Sequence, residues 1–229
     1  MGIPIATNRL ILRSLSLSDA KAVSHNSQGL SIRHFLSDMV FETEEDARGW
    51  IEWFNNKKFD ISIPSIALAV EEKETGICIG LIGVAPKKEL NEEIEILFLI
   101  ADEYQNKGYA TEAAKAIIWW AFEMTDLEAL SAIIKPDNAA SRQVIENVGF
   151  IYGDSRKLPY DGKEQLFDYF RLYHTDDIPS PVWDIKELYL PEDAAVIIYY
   201  MSERKAAAIL EVMDVNLAAR ITEILLAAG

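Results

Sequence analysis

The stretch that most constrains this chain is residues 95–114, EILFLIADEYQNKGYATEAA. It opens as an apolar run from Glu95 through Ile96, Leu97, Phe98, Leu99 and Ile100, short enough for one buried strand. It breaks at Ala101-Asp102-Glu103 and passes through Gln105-Asn106-Lys107-Gly108. It then enters a helix that continues through Trp119, Trp120 and Phe122. A strand, a turn and a helix N-terminus in immediate succession make an anion site. The first helical turn has backbone N–H groups without partners, and its dipole favours negative charge. Gly108 lets the backbone come close to a ligand, and Ala110 keeps the next position small. Neither a G-x-x-x-x-G-K-[ST] phosphate loop nor a G-x-G-x-x-G dinucleotide turn is present in this stretch.

Gln105, Gly108 and Ala110 resemble the Q/R-x-x-G-x-G/A pyrophosphate loop of the GNAT superfamily of acetyltransferases. Gly108-Tyr109-Ala110-Thr111-Glu112-Ala113 is similar to the G-Y-A-T-E-A of the subfamily that acetylates the N-termini of ribosomal proteins. A second block lies further on: Asn138-Ala139-Ala140-Ser141 with Val148-Gly149-Phe150 resembles that family's N-x-x-S…G-F helix. The likeness runs from about Thr7 to about His174.

The order of elements agrees. Residues 7–15 alternate as a first strand, and Ser16 or Ser18 caps a helix over residues 19–26. Thr43-Glu44-Glu45-Asp46 is a capping box for a helix carrying Trp50, Ile51, Trp53 and Phe54. Strands over 65–70 and 77–84 flank a Glu74-Thr75-Gly76 turn. The strand of Glu95, its loop and its helix follow, then a strand over 127–135. Asn138 caps a helix to Asn147 that Gly149 ends, and strands at 150–153 and 167–173 close the domain. This predicts an α+β chain with the GNAT fold, a mixed, mostly antiparallel twisted sheet with helices on both faces. A small all-α module is expected after it.

The expected domain covers residues 1–175, a linker 176–183 and the module 184–229. The tail repeats itself. Asp193-Ala194-Ala195-x-Ile197 recurs as Lys205-Ala206-Ala207-x-Ile209 and as Leu217-Ala218-Ala219-x-Ile221. Such short units are stable only when stacked. Residues 201–210 resemble the helical N-terminal domain of bacterial magnesium transporters and related segments of flagellar motor proteins. Its apolar faces call for a second copy or a protein partner.

The formal charge of −15 argues against nucleic acid as a partner and suits a cationic amine. Half of the 229 residues are hydrophobic, enough for a sizeable core. Cys78 is the lone cysteine and reads as a core residue. No apolar run approaches a membrane span and MGIPIATNRL has no leader pattern, so a cytoplasmic protein is expected. His25, His34 and His174 are scattered, so no metal is expected.

The resemblance implies acetyl-CoA as co-substrate, with its pyrophosphate on backbone N–H groups of Gln105, Asn106, Lys107, Gly108, Tyr109, Ala110 and Thr111. Lys107 adds a point charge. It also implies that backbone groups of Leu97, Phe98 and Leu99 bond the pantetheine arm and polarise the acetyl carbonyl, with Asn138 holding the arm. The acceptor is a primary amine, on a small molecule or a protein N-terminus. An α-amino group with a pKa near ~8 is about a tenth neutral at pH 7, and a lysine-like amine near ~10.4 is almost wholly charged. A carboxylate base is therefore useful. Glu95 is the first candidate and Glu93, on the same strand face, the second. Leu97 stands where the subfamily has glycine, which narrows the site or shifts the substrate. Ser141 is the candidate that protonates the departing thiolate. The competing class is a non-catalytic acyl-CoA sensor or scaffold whose helical repeats recruit a partner.

Overall fold

The computed structural model describes residues 5–57, 60–174 and 215–228. Eight strands form one sheet: β1 (Ile5–Ala6), β2 (Leu10–Ser14), β3 (Ile66–Glu72), β4 (Ile77–Lys87), β5 (Glu93–Ile100), β6 (Ala129–Ile134), β7 (Ile151–Tyr160) and β8 (Lys163–Tyr173). Their spatial order is β1-β2-β3-β4-β5-β6-β8-β7. Every neighbouring pair is antiparallel except β5 and β6. Those two parallel strands pair at Glu95 and Ser131, and the Ser131 hydroxyl donates to the Ile94 carbonyl at 3.2 Å. Beyond that point they part, and the gap between them is the centre of the molecule.

Helices cover both faces, as expected. α1 (Ala20–Ser27) and α3 (Glu44–Asn55) pack on one, burying Val23, Ala47, Ile51 and Phe54 against Ala67, Ala69 and Leu81. α4 (Tyr109–Met124) and α5 (Ala139–Asn147) pack on the other, where Ile117, Trp120 and Ile145 meet Ile82, Ile96, Leu130 and Phe170. A third cluster, Leu90, Leu158, Phe167 and Tyr169, lies beside the β7–β8 hairpin. Between α1 and α3 a short helix, α2 (Leu30–Phe35), covers the open end of the gap.

Several local signals act as the sequence predicts. Thr43 accepts from the Asp46 N–H at 3.1 Å while the Asp46 carboxylate takes the Thr43 N–H at 2.9 Å, a complete capping box. Gly149, at φ 96°, ends α5. Cys78 is buried, and desolvation pushes its thiol up to about 11, which leaves it unreactive. Two elements differ in extent. The first strand begins at Leu10 rather than Thr7: a turn closed by the Thr7 N–H on the Leu10 carbonyl at 2.9 Å separates it from β1, and Thr7 and Arg9 in that turn bind Glu112. The closing hairpin is far longer than 150–153 and 167–173, joined by Asp161 and Gly162 at φ 51° and 71°. Of the predicted tail, the linker and the first two repeat units lie outside the described residues. The third unit falls within α6 (Val215–Ala228), where Ile221 is buried. Among the described residues no helix is long and apolar enough to cross a membrane.

Candidate active site

The predicted turn is built from backbone geometry. After β5, a single 3₁₀ turn (Asp102–Tyr104) leads to Gln105. Asn106 and Gly108 both adopt positive φ, 60° and 80°, and Gly108 is the N-cap of α4. Alternation of this kind turns successive N–H groups toward one concavity. The open N–H groups of the first turn of α4 complete it.

Side chains brace this loop from outside. Gln105 Nε2 donates to the Ile100 carbonyl at 2.8 Å, to Ser31 Oγ at 2.9 Å and to Asp102 at 3.1 Å. Arg9 donates to the Lys107 carbonyl at 2.9 Å, pairs with Glu112 at 2.7 Å and lies over the Tyr109 ring. Thr7 adds a bond to the same carboxylate at 2.6 Å. The acid in the first turn of α4 is thereby neutralised. Arg9 and Thr7 were not legible as loop residues, since both sit a hundred positions from Glu112; the acid inside the G-Y-A-T-E-A run is the one signal that a cation must come to it.

The loop opens into a cleft of about 350 Å³. Gln105, Asn106, Gly108, Tyr109, Ala110 and Thr111 line it from the loop side, Phe98 and Leu99 from β5, and Asn138 and Ser141 from α5. Lys107 stands apart from that lining, its ammonium 5.0 Å from the centre of the Tyr104 ring. Asn138 is both cap and wall: its Oδ1 accepts the Ser141 N–H at 3.1 Å.

The three β5 residues expected to offer backbone groups are not equivalent. Leu97 and Leu99 pair with Gly83 and Leu81 of β4, and the Ala101 N–H donates to the Ile79 carbonyl at 2.9 Å in the same phase. Backbone bonding alternates along a strand. Leu97 and Leu99 therefore commit their groups to β4, whereas those of Phe98 point across the gap. Gly80 makes the close β4–β5 approach feasible, since a Cβ there would sit 2.1 Å from the Leu99 carbonyl oxygen.

A second cavity, of about 140 Å³, lies on the opposite side of the gap. It shares Phe35, Leu36, Phe98, Leu99, Asn138 and Ser141 with the cleft, so the two spaces meet at the end of β5. Glu95 and Leu97 line it, together with Lys87, Asp38 and Tyr160. The Glu95 side chain is 14% exposed, with Lys87 Nζ at 3.6 Å. Burial pushes its carboxyl up to about 7, against the opposing pull of Lys87 and a hydrogen bond from the Ile133 N–H. Glu93, the second candidate, accepts the Tyr169 hydroxyl at 2.7 Å and faces Arg171 at 3.8 Å, outside this cavity. Among the described residues, no cluster of three or more His, Cys, Asp or Glu side chains is arranged to hold a metal.

The cleft thus lies at a parted pair of parallel strands and is closed at one end by the loop over residues 105–111 and the first turn of α4. Residues 9–151 match the acetyltransferase (GNAT) domain model, and the chain belongs to this family of acetyl-CoA-dependent N-acetyltransferases. An N-acetyltransferase of Bacillus subtilis, YnaD, itself uncharacterized, is 30% identical over 148 residues, which span 63% of this chain and 81% of the relative. The fold is that of an acetyltransferase (GNAT family) from Bacillus anthracis, with a TM-score of 0.63 at 24% identity over 75% of this chain and 98% of that one. It is also that of the microcin C7 self-immunity acetyltransferase MccE, solved in complex with acetyl-CoA and AMP. The TM-score there is 0.60 at 15% identity, over 73% of this chain and 93% of that one.

Proposed function

We propose that the enzyme transfers the acetyl group of acetyl-CoA to a primary amine by direct attack within a ternary complex, with Glu95 as general base. The observation that carries this reading is a buried carboxyl, raised to about 7, in a cavity that joins the cofactor cleft at Phe98, Leu99, Asn138 and Ser141. A base poised near the working pH is ionised often enough to accept a proton and strong enough to take one from an ammonium group.

Each remaining step has a candidate residue. Backbone N–H groups from Gln105 to Thr111 hold the pyrophosphate. The backbone of Phe98 aligns the pantetheine arm as an added strand and polarises the carbonyl that the amine attacks. Asn138 fixes the other wall, and the Ser141 hydroxyl donates to the departing sulfur. The catalytic unit in this reading is residues 1–175, with 184–229 a separate helical module for a second copy or a protein partner, beyond a linker at 176–183.

The test is the pH dependence of Glu95→Gln. Below about 7 the carboxyl of the wild type carries its own proton and cannot accept another, so kcat should fall with decreasing pH through that value. The variant should lose about 10²-fold or more in kcat at pH 7.5, with little change in acetyl-CoA affinity. The deficit should shrink at high pH as the free amine deprotonates unaided. Wild-type kcat from pH 6 to 9 in the variant would remove Glu95 from the reaction.

A further inference from the structure

The acceptor cavity carries four charged side chains, and each already has a partner inside the protein. Glu95 faces Lys87 at 3.6 Å. Asp38 accepts the Tyr160 hydroxyl at 2.5 Å, across 122 positions of sequence. Lys135 donates to the His34 carbonyl at 2.9 Å, with its ammonium 5.1 Å from the Tyr160 ring centre. The rest of the lining is largely apolar, with Leu36, Met39, Leu97 and Phe167 around the space. A charged substituent that displaced Lys87 or Glu95 would leave the other largely buried without its partner, which is costly, and one bound at Asp38 or Lys135 would have to compete with the hydrogen bonds these more exposed groups already make. Size is limited as well. An apolar cavity of about 150 Å³ accommodates benzene, and this one is about 140 Å³.

We infer that the acceptor is a compact monoamine whose body is apolar and uncharged, excluding amino acids, polyamines, aminoglycoside-like amines and extended peptides. Two residues set these limits. Leu97, half-buried and two positions along β5 from Glu95, projects on the same face and fixes the depth. The Tyr160–Asp38 bond ties the hairpin tip to the segment after α2 and occupies one oxygen of the carboxylate that could greet a second ammonium. The inference rests on the acetyl-transfer reading above and narrows it.

The experiment measures coenzyme A release by the full-length enzyme with benzylamine, n-pentylamine, 1,5-diaminopentane, spermidine, phenylalanine and an alanyl tripeptide amide. Benzylamine and pentylamine should exceed each of the others at least tenfold in kcat/KM. Equal or faster turnover of the diamine, the polyamine, the amino acid or the peptide overturns the assignment while leaving acetyl transfer intact. Binding of acetyl-CoA with no turnover of any amine overturns acetyl transfer itself, and the acceptor class with it.

Two variants read the determinants directly. Tyr160→Phe frees the Asp38 carboxylate and should raise the ratio of diaminopentane to pentylamine turnover at least threefold. Leu97→Gly should admit 1-naphthylmethylamine, with its rate relative to benzylamine rising at least fivefold. Unchanged ratios in both variants, with the folded state verified by circular dichroism, overturn the roles given to these residues.

Discussion

Gly108 meets two demands at one position. Its φ of 80° is one that residues with a Cβ adopt at a cost of about 1–2 kcal/mol. In the proposed binding mode it also lies where the backbone approaches the pyrophosphate closely. A Cβ there would come 3.5 Å from Arg9 Nη2, within the brace that carries the Lys107 carbonyl and Glu112. Gly108→Val should therefore weaken acetyl-CoA binding by well over tenfold in a calorimetric titration, through lost loop geometry as much as through bulk. Unaltered affinity in a folded variant would show that the anion sits elsewhere. Asn106 tolerates its own positive φ because its short polar side chain is among the few that do. Residues of this kind were legible in the sequence. Gly108, Asn138, Gly149 and the Thr43 box each answer a backbone demand within four positions of themselves. Arg9 and Glu112, or Tyr160 and Asp38, answer demands more than a hundred positions away, and no local pattern encodes them.

At the scale of elements, legibility followed burial. β3 and β4 are buried along most of their length, β5 along half of its own with no exposed position, and all three read as apolar runs. The middle of the closing hairpin did not read as strand, because β7 is an edge strand with Leu158 as its one buried residue. Charged and polar residues occupy most of it, as suits an edge that must not pair with another chain. The signal that was present, Asp161-Gly162, is a two-residue hairpin turn of the Asp-Gly kind. Following it outward places Tyr160, which lies outside both predicted strands, beside Phe167 in the lining of the second cavity. α2 was equally opaque as a six-residue helix of mixed character, yet it joins the two halves of the site. Ser31 donates to Asp102 at 2.6 Å beside the anion loop, and Phe35 lines both cavities.

At the scale of the molecule, the lining residues of both cavities, from Ser31 to Phe167, precede the proposed linker. A chain ending at Asp177 should therefore fold and bind acetyl-CoA with an affinity within about threefold of the full-length protein's, while its oligomeric state or partner binding changes. Light scattering and cofactor titration on both forms decide the matter. Aggregation of the shortened chain, or loss of binding, would make residues 184–229 part of the enzyme's own core.

The parting of β5 from β6 has a consequence for how long the protein survives. Five strands stand on one side of the gap and three on the other, and the β5–β6 pairing that spans it lies at Glu95 and Ser131. In the binding mode proposed above, a pantetheine arm laid into the gap would supply rungs that the polypeptide itself omits, and the metabolite would serve as a structural member as well as a reactant. Ligand at a hundredfold excess over its Kd adds about 2.7 kcal/mol to the folded state. Where proteolysis proceeds through global opening, that is about a hundredfold longer half-life. Digestion by thermolysin should slow in proportion as coenzyme A is titrated in, and a rate indifferent to the ligand would mean that the gap is already rigid. The turnover of the enzyme in a cell would then report the supply of its own acetyl donor.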